Sequence, residues 1–166
     1  MIEVPLTQGK IAFVDETDFY LVIPHIWSYK ISERDPNTGY ATTNIRRPDG
    51  GRAMVRMHRL IMSAPKGVQV DHINGDGLDN RHSNLRLCTQ SGNQWNRGVQ
   101  RNNKSGHKGV SWHKRWNKWY VVVAAHRKYH FGGQFRHLSD AVTARDKLAR
   151  ELHGEFFVPA AGRKGN

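Results

Sequence analysis

Four polar side chains near the middle of the chain have the types and spacing that phosphodiester hydrolysis needs. They are the adjacent Asp71 and His72, followed by Asn84 and Asn93. Asp71 and the amide oxygen of Asn93 could hold Mg²⁺, which prefers oxygen ligands and takes only one or two from the protein. Such an ion binds the scissile phosphate and neutralises the leaving oxygen. His72 could accept a proton from the attacking water, and Asn84 could hydrogen-bond the imidazole and fix its tautomer.

Taken alone, these residues leave another interpretation open, because short motifs often occur by chance. Asp71 and Asn84 could be turn residues, and His72 could be a half-buried histidine whose hydrogen bonds are satisfied. A calcium loop is excluded by register, since aligning Gly77 with the loop glycine puts Ser83 where a bidentate glutamate is needed.

Other metal sites and protein classes are disfavoured by composition. His126 and His130 are four residues apart, but in a β context they would not share a helix face. The single cysteine, Cys88, excludes an internal disulfide and a CxxC zinc ribbon, so we expect no structural zinc. No apolar run is long enough for a membrane span, and the N-terminus lacks the features of a secretory signal. We therefore expect a cytoplasmic protein that is not secreted and contacts no membrane.

The elements that must position these residues can be placed along the sequence. Residues 68–73 form a predicted strand, residues 74–84 a polar loop, residues 85–89 a second strand, and residues 90–96 a short helix. Side chains alternate along a strand. A twist or bulge must therefore bring Asp71 and His72 towards one site.

The motif itself resembles a known family. Residues 58–93 contain HRLIM, then DHINGDGLDNRHSNLR, then a later asparagine. This pattern resembles the HNH nucleases with a ββα-metal finger, and more narrowly the phage and intron-encoded HNH homing endonucleases. The resemblance implies that Asp71 and Asn93 bind the metal, that His72 is the general base and that Asn84 orients it. It also implies products with 5′-phosphate and 3′-hydroxyl ends. We expect Mg²⁺ as the cofactor, with Mn²⁺ able to substitute.

Other residues near the motif have less specific roles. His58 matches an upstream histidine of the family, which we interpret as structural rather than catalytic. Arg81, Arg86 and Arg97 could contact phosphates, although they could equally be solvated or bind loop carbonyls.

Charge separates the C-terminal part of the chain from the rest. The net charge is +12, and the 60 residues between Asp79 and Asp140 hold 12 Lys and Arg and no acid. Such a segment favours a polyanionic partner, and its many aromatic residues argue against disorder. Three strands are predicted there, at residues 108–113, 119–125 and 128–132. Ser139 is the predicted cap of an amphipathic helix over residues 140–153.

The C-terminal segment also resembles a family, the ethylene-response-factor (Apetala) type DNA-binding domain, over about residues 105–158. That domain is a three-stranded sheet backed by a helix. The resemblance implies that one sheet face enters a DNA major groove, which is wide enough for β-ribbons. The expected DNA-contacting residues are Lys108, Ser111, His113, Lys114, Arg115, Tyr120, Arg127, Tyr129 and Phe131.

The sequence therefore predicts an α+β protein. Residues 1–97 are the expected nuclease domain, with a β-rich lead segment at 1–57 and the ββα-metal core at 58–97. Residues 98–105 are the expected linker, 106–158 the DNA-binding domain and 159–166 a tail. We expect a metal-dependent endonuclease on double-stranded DNA, acting as a monomer or homodimer. A DNA-binding regulator that does not cleave, or an RNA-directed protein, remains the alternative.

Overall fold

The computed structural model describes residues 1–33, 38–96, 99 and 102–161. Within them the chain folds as α+β with several small antiparallel sheets, as the sequence predicts. It divides into two compact units, Met1–Thr89 and Gln90–Asn166. This division falls inside the expected ββα finger, between its second strand and its helix. The expected boundary after residue 97 stays a prediction, and each unit is described by itself.

The first unit is built from three small antiparallel sheets. Strands β1 (Ile2–Pro5) and β2 (Ile11–Val14) form a hairpin. Strands β3 (Ser28–Ile31), β4 (Gly39–Arg46) and β5 (Arg52–Arg56) form a three-stranded sheet in that order. Strands β6 (Gln69–His72) and β7 (Leu85–Cys88) form the third. Short helices α1 (Phe19–Val22) and α2 (Met57–Ile61) pack with them.

A single apolar core supports these sheets. Trp27, Val14, Val22 and Met57 are almost fully buried in it, and burial of such side chains is the main stabilising contribution to a small unit. The sequence patterns predicted a β-rich segment over residues 1–57, where the structure has β1 to β5, and strands at residues 68–73 and 85–89, where it has β6 and β7. They missed β1 and α1, which are too short to show clear periodicity.

The second unit contains α3 (Gln90–Trp95) and a three-stranded antiparallel sheet backed by a helix, as predicted. Its strands are β8 (Val110–His113), β9 (Lys118–Ala125) and β10 (Lys128–Phe135), with β9 in the centre. Helix α4 spans Leu138–His153. The predicted cap at Ser139 is wrong, since His137 has the extended backbone of an N-cap and Ser139 lies inside the helix.

Strand β10 runs three residues past its predicted end at Gly132 because that glycine forms a bulge. The pairing register with β9 shifts between Phe131 and Gly133. A Cβ at Gly132 would overlap the side chains of Val121 and Leu148. Glycine therefore lets α4 approach the sheet closely where the strand bulges.

None of the helices in the described part of the chain combines the length and apolar character needed to cross a membrane.

Candidate active site

The β6–β7 hairpin holds Asp71 and His72 at the end of β6. The register is continuous, with Asp71 opposite Arg86 and His72 opposite Leu85, so of the twist or bulge expected from the sequence this hairpin has no bulge. Asp71 and His72 are both buried, with 6% and 5% of their surface exposed. Each is buried against a different set of neighbours.

Asp71 is paired with Arg86 across the hairpin. Nε and Nη2 of Arg86 donate to Oδ2 of Asp71 at 3.0 and 2.9 Å. Opposite charges directly across a strand pair stabilise the sheet. Arg86 was expected to contact DNA phosphates. In the structure its guanidinium instead neutralises the carboxylate of Asp71.

His72 is enclosed by aromatic rings of the first unit. The His58 ring stands perpendicular to it at 4.8 Å between centroids, and the Tyr40 ring lies at 5.8 Å. Burial lowers the pKa of His72, although the hydrogen bond to Asn80 and the nearby carboxylates oppose this shift. A neutral imidazole is the form that can accept a proton.

His58 is consistent with the structural role expected for it. It is 3% exposed, and burial first, then the charges of His72, Arg56 and Arg59, holds its pKa well below the usual value. It contributes one wall of the enclosure around His72.

Asn84 secures the loop rather than the imidazole. Its Oδ1 accepts from the Asn74 backbone N–H at 2.9 Å, and its Nδ2 donates to the Asp79 carbonyl at 2.7 Å. The expected hydrogen bond from Asn84 to His72 is therefore wrong for this structure. The amide beside the imidazole is that of Asn80, whose Oδ1 lies 3.3 Å from Nε2 of His72.

The loop between β6 and β7 is docked on the N-terminal hairpin. The Phe13 backbone N–H donates to the Leu78 carbonyl at 2.8 Å, and the Asn80 N–H donates to the Phe13 carbonyl at 2.7 Å. Gly77 packs on the backbone of Gly39 and the ring of Tyr40, where a Cβ would overlap both. The loop is thus fixed from two sides.

Arg81 has a structural partner inside this loop. Its Nε and Nη2 donate to Oδ1 and Oδ2 of Asp79, both at 2.7 Å. These hydrogen bonds lower the pKa of the Asp79 carboxyl. Arg97, the third arginine expected to contact phosphate, lies outside the described residues, as do Arg34 to Asn37, Gly98, Gln100, Arg101 and residues 162–166.

The donor set suits a hard divalent cation held by few protein atoms. Asp71 is a buried carboxylate in a polar surrounding, and Asn93 lies on α3 in the second unit. Among the described residues no three His, Cys, Asp or Glu side chains cluster closely enough to hold a metal. That Asp71 and Asn93 hold a metal, and which metal they hold, stays a prediction.

In the second unit, five of the expected DNA-contacting residues share the sheet face opposite α4. Val121 and Val123 are buried towards the helix, so the residues that alternate with them face outwards. Ser111 pairs with Tyr120, Tyr129 with Ala124 and Phe131 with Val122. The outward set, here called the outer face, comprises Ser111, His113, Tyr120, Tyr129 and Phe131.

The basic residues expected on this surface lie elsewhere. Lys114 and Arg115 are in the β8–β9 turn, and Arg127 is in the β9–β10 turn, where it has a positive φ. Lys108 has partners inside this unit, since its Nζ donates to the Trp95 carbonyl at 2.8 Å and to that of Gln94 at 3.4 Å, and its contact with DNA stays a prediction. Cations are favoured at helix C-termini, and this lysine is used at the end of α3.

Sequence reasoning missed three residues of the site: Asn80, Tyr40 and the pairing role of Arg86. The pairing of Arg86 could have been predicted from the sequence. If the hairpin loop closes between Ile73 and Asn84, the register of the two strands places Arg86 opposite Asp71. Tyr40 and Asn80 had none, since their contacts depend on how separate segments pack.

Comparisons with known proteins agree on the identity of the central segment. Residues 56–95 match the family model described as HNH endonuclease. Protein 3.8 of Escherichia phage T7 is 40% identical over 92 residues, which are 55% of this chain and 75% of that protein. A protein of Acanthamoeba polyphaga mimivirus, named as an uncharacterized HNH endonuclease, is 30% identical over 111 residues. That match covers 63% of this chain but only 57% of the relative. No solved structure matches this chain.

Proposed function

We propose, since this chain belongs to a family of phage and viral proteins that carry an HNH endonuclease domain, that it is a metal-dependent endonuclease of double-stranded DNA. The observation that carries this proposal is the buried Asp71–His72 pair at the end of β6. Its imidazole is enclosed by rings and its carboxylate is adjacent in sequence. This arrangement lies within the segment that matches the HNH model.

The proposed division of labour follows from the chemistry of each side chain. His72 accepts a proton from the attacking water, for which its neutral form is required. Asp71 and Asn93 supply the oxygens that hold the divalent cation, which we propose is Mg²⁺ with Mn²⁺ able to substitute. When bound, that cation stabilises the charge on the scissile phosphate and the leaving 3′-oxygen. Asn84 contributes by holding the loop, and cleavage gives 5′-phosphate and 3′-hydroxyl ends.

The second unit is the proposed DNA-reading part. Its outer face and the neighbouring turns carry no acid, because the acids Asp140, Asp146 and Glu151 lie on α4, which backs the opposite face. A phosphate backbone attracts such a surface. We propose that this unit binds DNA as the Apetala-type domain that it resembles, and that the chain is an endonuclease of the homing type. The protein would act in the cytoplasm of an infected host.

One catalytic centre makes one nick. A double-strand break therefore needs a homodimer on DNA or two successive binding events. Mapping both strands of cleaved DNA distinguishes a single nick from paired cuts.

A plasmid-nicking assay tests the function. The full chain should relax supercoiled plasmid in Mg²⁺, leaving nicks that DNA ligase reseals directly. His72→Ala should retain DNA binding in a gel-shift assay and lose cleavage, while Ser83→Ala, an exposed change in the same loop, should cleave normally. Full cleavage by His72→Ala, or by the wild-type chain in excess EDTA, would contradict the proposal. Binding without cleavage by the wild-type chain would support a regulator instead.

A second candidate function is favoured by the rings of the outer face. The Tyr120 and Phe131 rings lie 4.8 Å apart between centroids, and His113 stacks on Trp116 at 3.9 Å. Phe131 is 56% exposed and Tyr129 84%. Exposed aromatic rings in a basic surface can stack on unpaired bases, so single-stranded DNA or RNA is the alternative ligand of this unit.

A further inference from the structure

Asn80 is a fully buried amide that sequence reasoning assigned to no function. It has no exposed surface and lies in the loop between β6 and β7. Its backbone N–H donates to the Phe13 carbonyl at 2.7 Å. Its side-chain Nδ2 donates to the Leu78 carbonyl at 2.9 Å, and its Oδ1 faces Nε2 of His72 at 3.3 Å.

These partners determine which way the amide points. If the amide were flipped, Oδ1 would face the Leu78 carbonyl, and two acceptors would be in contact inside the protein. An unpaired buried acceptor is unfavourable. The orientation with Nδ2 towards Leu78 is therefore favoured, and it presents an oxygen to His72. An amide oxygen can only accept a hydrogen bond.

The oxygen of Asn80 then determines the tautomer of the neutral imidazole. A proton on Nε2 gives a donor that faces an acceptor. A proton on Nδ1 instead would place the Nε2 lone pair against the lone pairs of Oδ1. The 3.3 Å separation is slightly longer than the usual limit of about 3.2 Å, so the repulsion in the wrong tautomer contributes more than the strength of the bond itself.

The rings around His72 restrict rotation of the imidazole away from Asn80. His58 stands perpendicular to it at 4.8 Å, and Tyr40 lies on another side at 5.8 Å. Rotation of the imidazole by half a turn would move Nε2 away from Asn80, but it requires both neighbouring rings to move. Interiors packed this closely resist such motion.

We propose that Asn80 is the positioning residue of the catalytic histidine: it holds His72 with its proton on Nε2, so that Nδ1 is the nitrogen that accepts a proton from water. The sequence pattern had suggested Asn84 for this role. Both side-chain hydrogen bonds of Asn84 go to the loop backbone, so Asn84 acts on the loop and Asn80 on the imidazole. This inference rests on the proposed nuclease function for its catalytic meaning.

Nitrogen-15 NMR of the histidine side chains tests the tautomer directly in the full chain. The His72 signals are identified by their loss in His72→Gln. The wild-type chain at neutral pH should show the Nε2–H tautomer. Asn80→Ala, which removes the acceptor, should give a mixture of both tautomers. Asn74→Ala is the matched control, because Asn74 bonds only within the loop and should leave the tautomer unchanged.

Cleavage provides the second measurement. Asn80→Ala should lower the rate at saturating DNA, with little change in DNA affinity, because only part of the molecules would present a proton-accepting Nδ1. The loss should be smaller than the roughly 100- to 10,000-fold that a positioned general base contributes.

Two results would overturn the inference. One is a wild-type His72 protonated on Nδ1, which is decisive even if every Asn80 variant fails to fold. The other is an Asn80→Ala chain, folded by its thermal transition, with an unchanged tautomer. Failure of the nuclease proposal would give a different result. The tautomer of His72 would still change in Asn80→Ala, but the wild-type chain would cleave no DNA.

Discussion

Asp71 and Arg86 are direct cross-strand partners, and two nitrogens of Arg86 donate to the same oxygen of Asp71. The proposed metal ligand is thus already neutralised by a cation of its own hairpin. The ion pair compensates for the burial of the Asp71 carboxylate, because an unpaired buried charge is strongly unfavourable.

Replacing Arg86 tests that relationship. Arg86→Ala leaves the Asp71 carboxylate buried without this partner, and we expect the free energy of unfolding to fall by about 3–5 kcal/mol in EDTA. Added Mg²⁺ should restore more stability to the variant than it adds to the wild type, since binding to the folded state alone stabilises it. Denaturant titrations with and without Mg²⁺ measure both effects.

The control for Arg86 is an exposed ion pair of the same unit. Arg47 and Asp49 lie 3.6 Å apart with more than half of each side chain exposed, so Arg47→Ala should change stability by less than about 1 kcal/mol. If Mg²⁺ stabilised Arg86→Ala no more than the wild type, Asp71 would not be the metal ligand.

The packing of Gly77 predicts a second outcome. Gly77→Ala introduces a Cβ against the Gly39 backbone and the Tyr40 ring, and the backbone cannot move as freely as a flexible side chain. We expect the loop to shift, the melting temperature to fall and cleavage to decrease, because the same loop carries Asn80. Overpacking of this kind costs about 1–3 kcal/mol. An Ala variant with wild-type melting and cleavage would show that the loop tolerates displacement.

The outer face of the second unit predicts a binding difference. Tyr120→Ala and Phe131→Ala should each weaken binding to single-stranded DNA by about 1–3 kcal/mol if bases stack on these rings. A smaller loss for duplex DNA at the same salt would support stacking on unpaired bases. A loss of affinity for duplex DNA without a loss for single-stranded DNA would instead support binding in the major groove. Fluorescence anisotropy measures both, with Thr143→Ala on α4 as the control.

The fourth prediction concerns pH and the second unit. His153 is buried, its Nε2 donates to the Ala124 carbonyl at 3.0 Å, and its ring stacks on Trp95 at 4.7 Å between centroids. Burial, followed by the positive charges of Arg145, Lys108 and His126, lowers its pKa. The unfolded chain therefore binds a proton more readily than the folded chain.

The sign of the effect follows from this difference. The stabilisation is fully present above the unfolded histidine pKa of about 6.5 and is lost as the pH falls towards the folded value. Thermal unfolding between pH 7.5 and pH 5.5 should show the loss. His153→Gln should make the pH dependence shallower without removing it, because His58 titrates in the same direction. An identical slope in both proteins would contradict the assignment to His153.

Most of the secondary structure was predictable because hydrophobic alternation and turn residues are local signals. The β6–β7 hairpin, the three-stranded sheet and α4 all appear close to their predicted positions. The end of β10 was not predictable from the sequence. Glycine usually interrupts a strand, but here Gly132 forms a bulge beneath Leu148 and the strand continues.

The site residues divide in the same way. Asp71 and His72 were predictable from their place in a motif, and their burial agrees with a role in a protected site. The function of an asparagine was not predictable, because Asn80 and Asn84 are four residues apart in one loop and only the packing decides which reaches the imidazole. The placement of Lys108 also depends on packing, since its carbonyl partners belong to a separate helix.

The docking of the loop onto Phe13 has a consequence for transplanting the segment that matches the HNH model. The segment that matches the HNH model, residues 56–95, excludes both β2 and Tyr40. If that segment were grafted alone into another scaffold, the Leu78 carbonyl and the Asn80 amide would lose their backbone partners on Phe13, and one wall beside His72 would be missing. The portable unit therefore extends back to the N-terminal hairpin, and a shorter cassette would keep the motif while losing the support that shapes it.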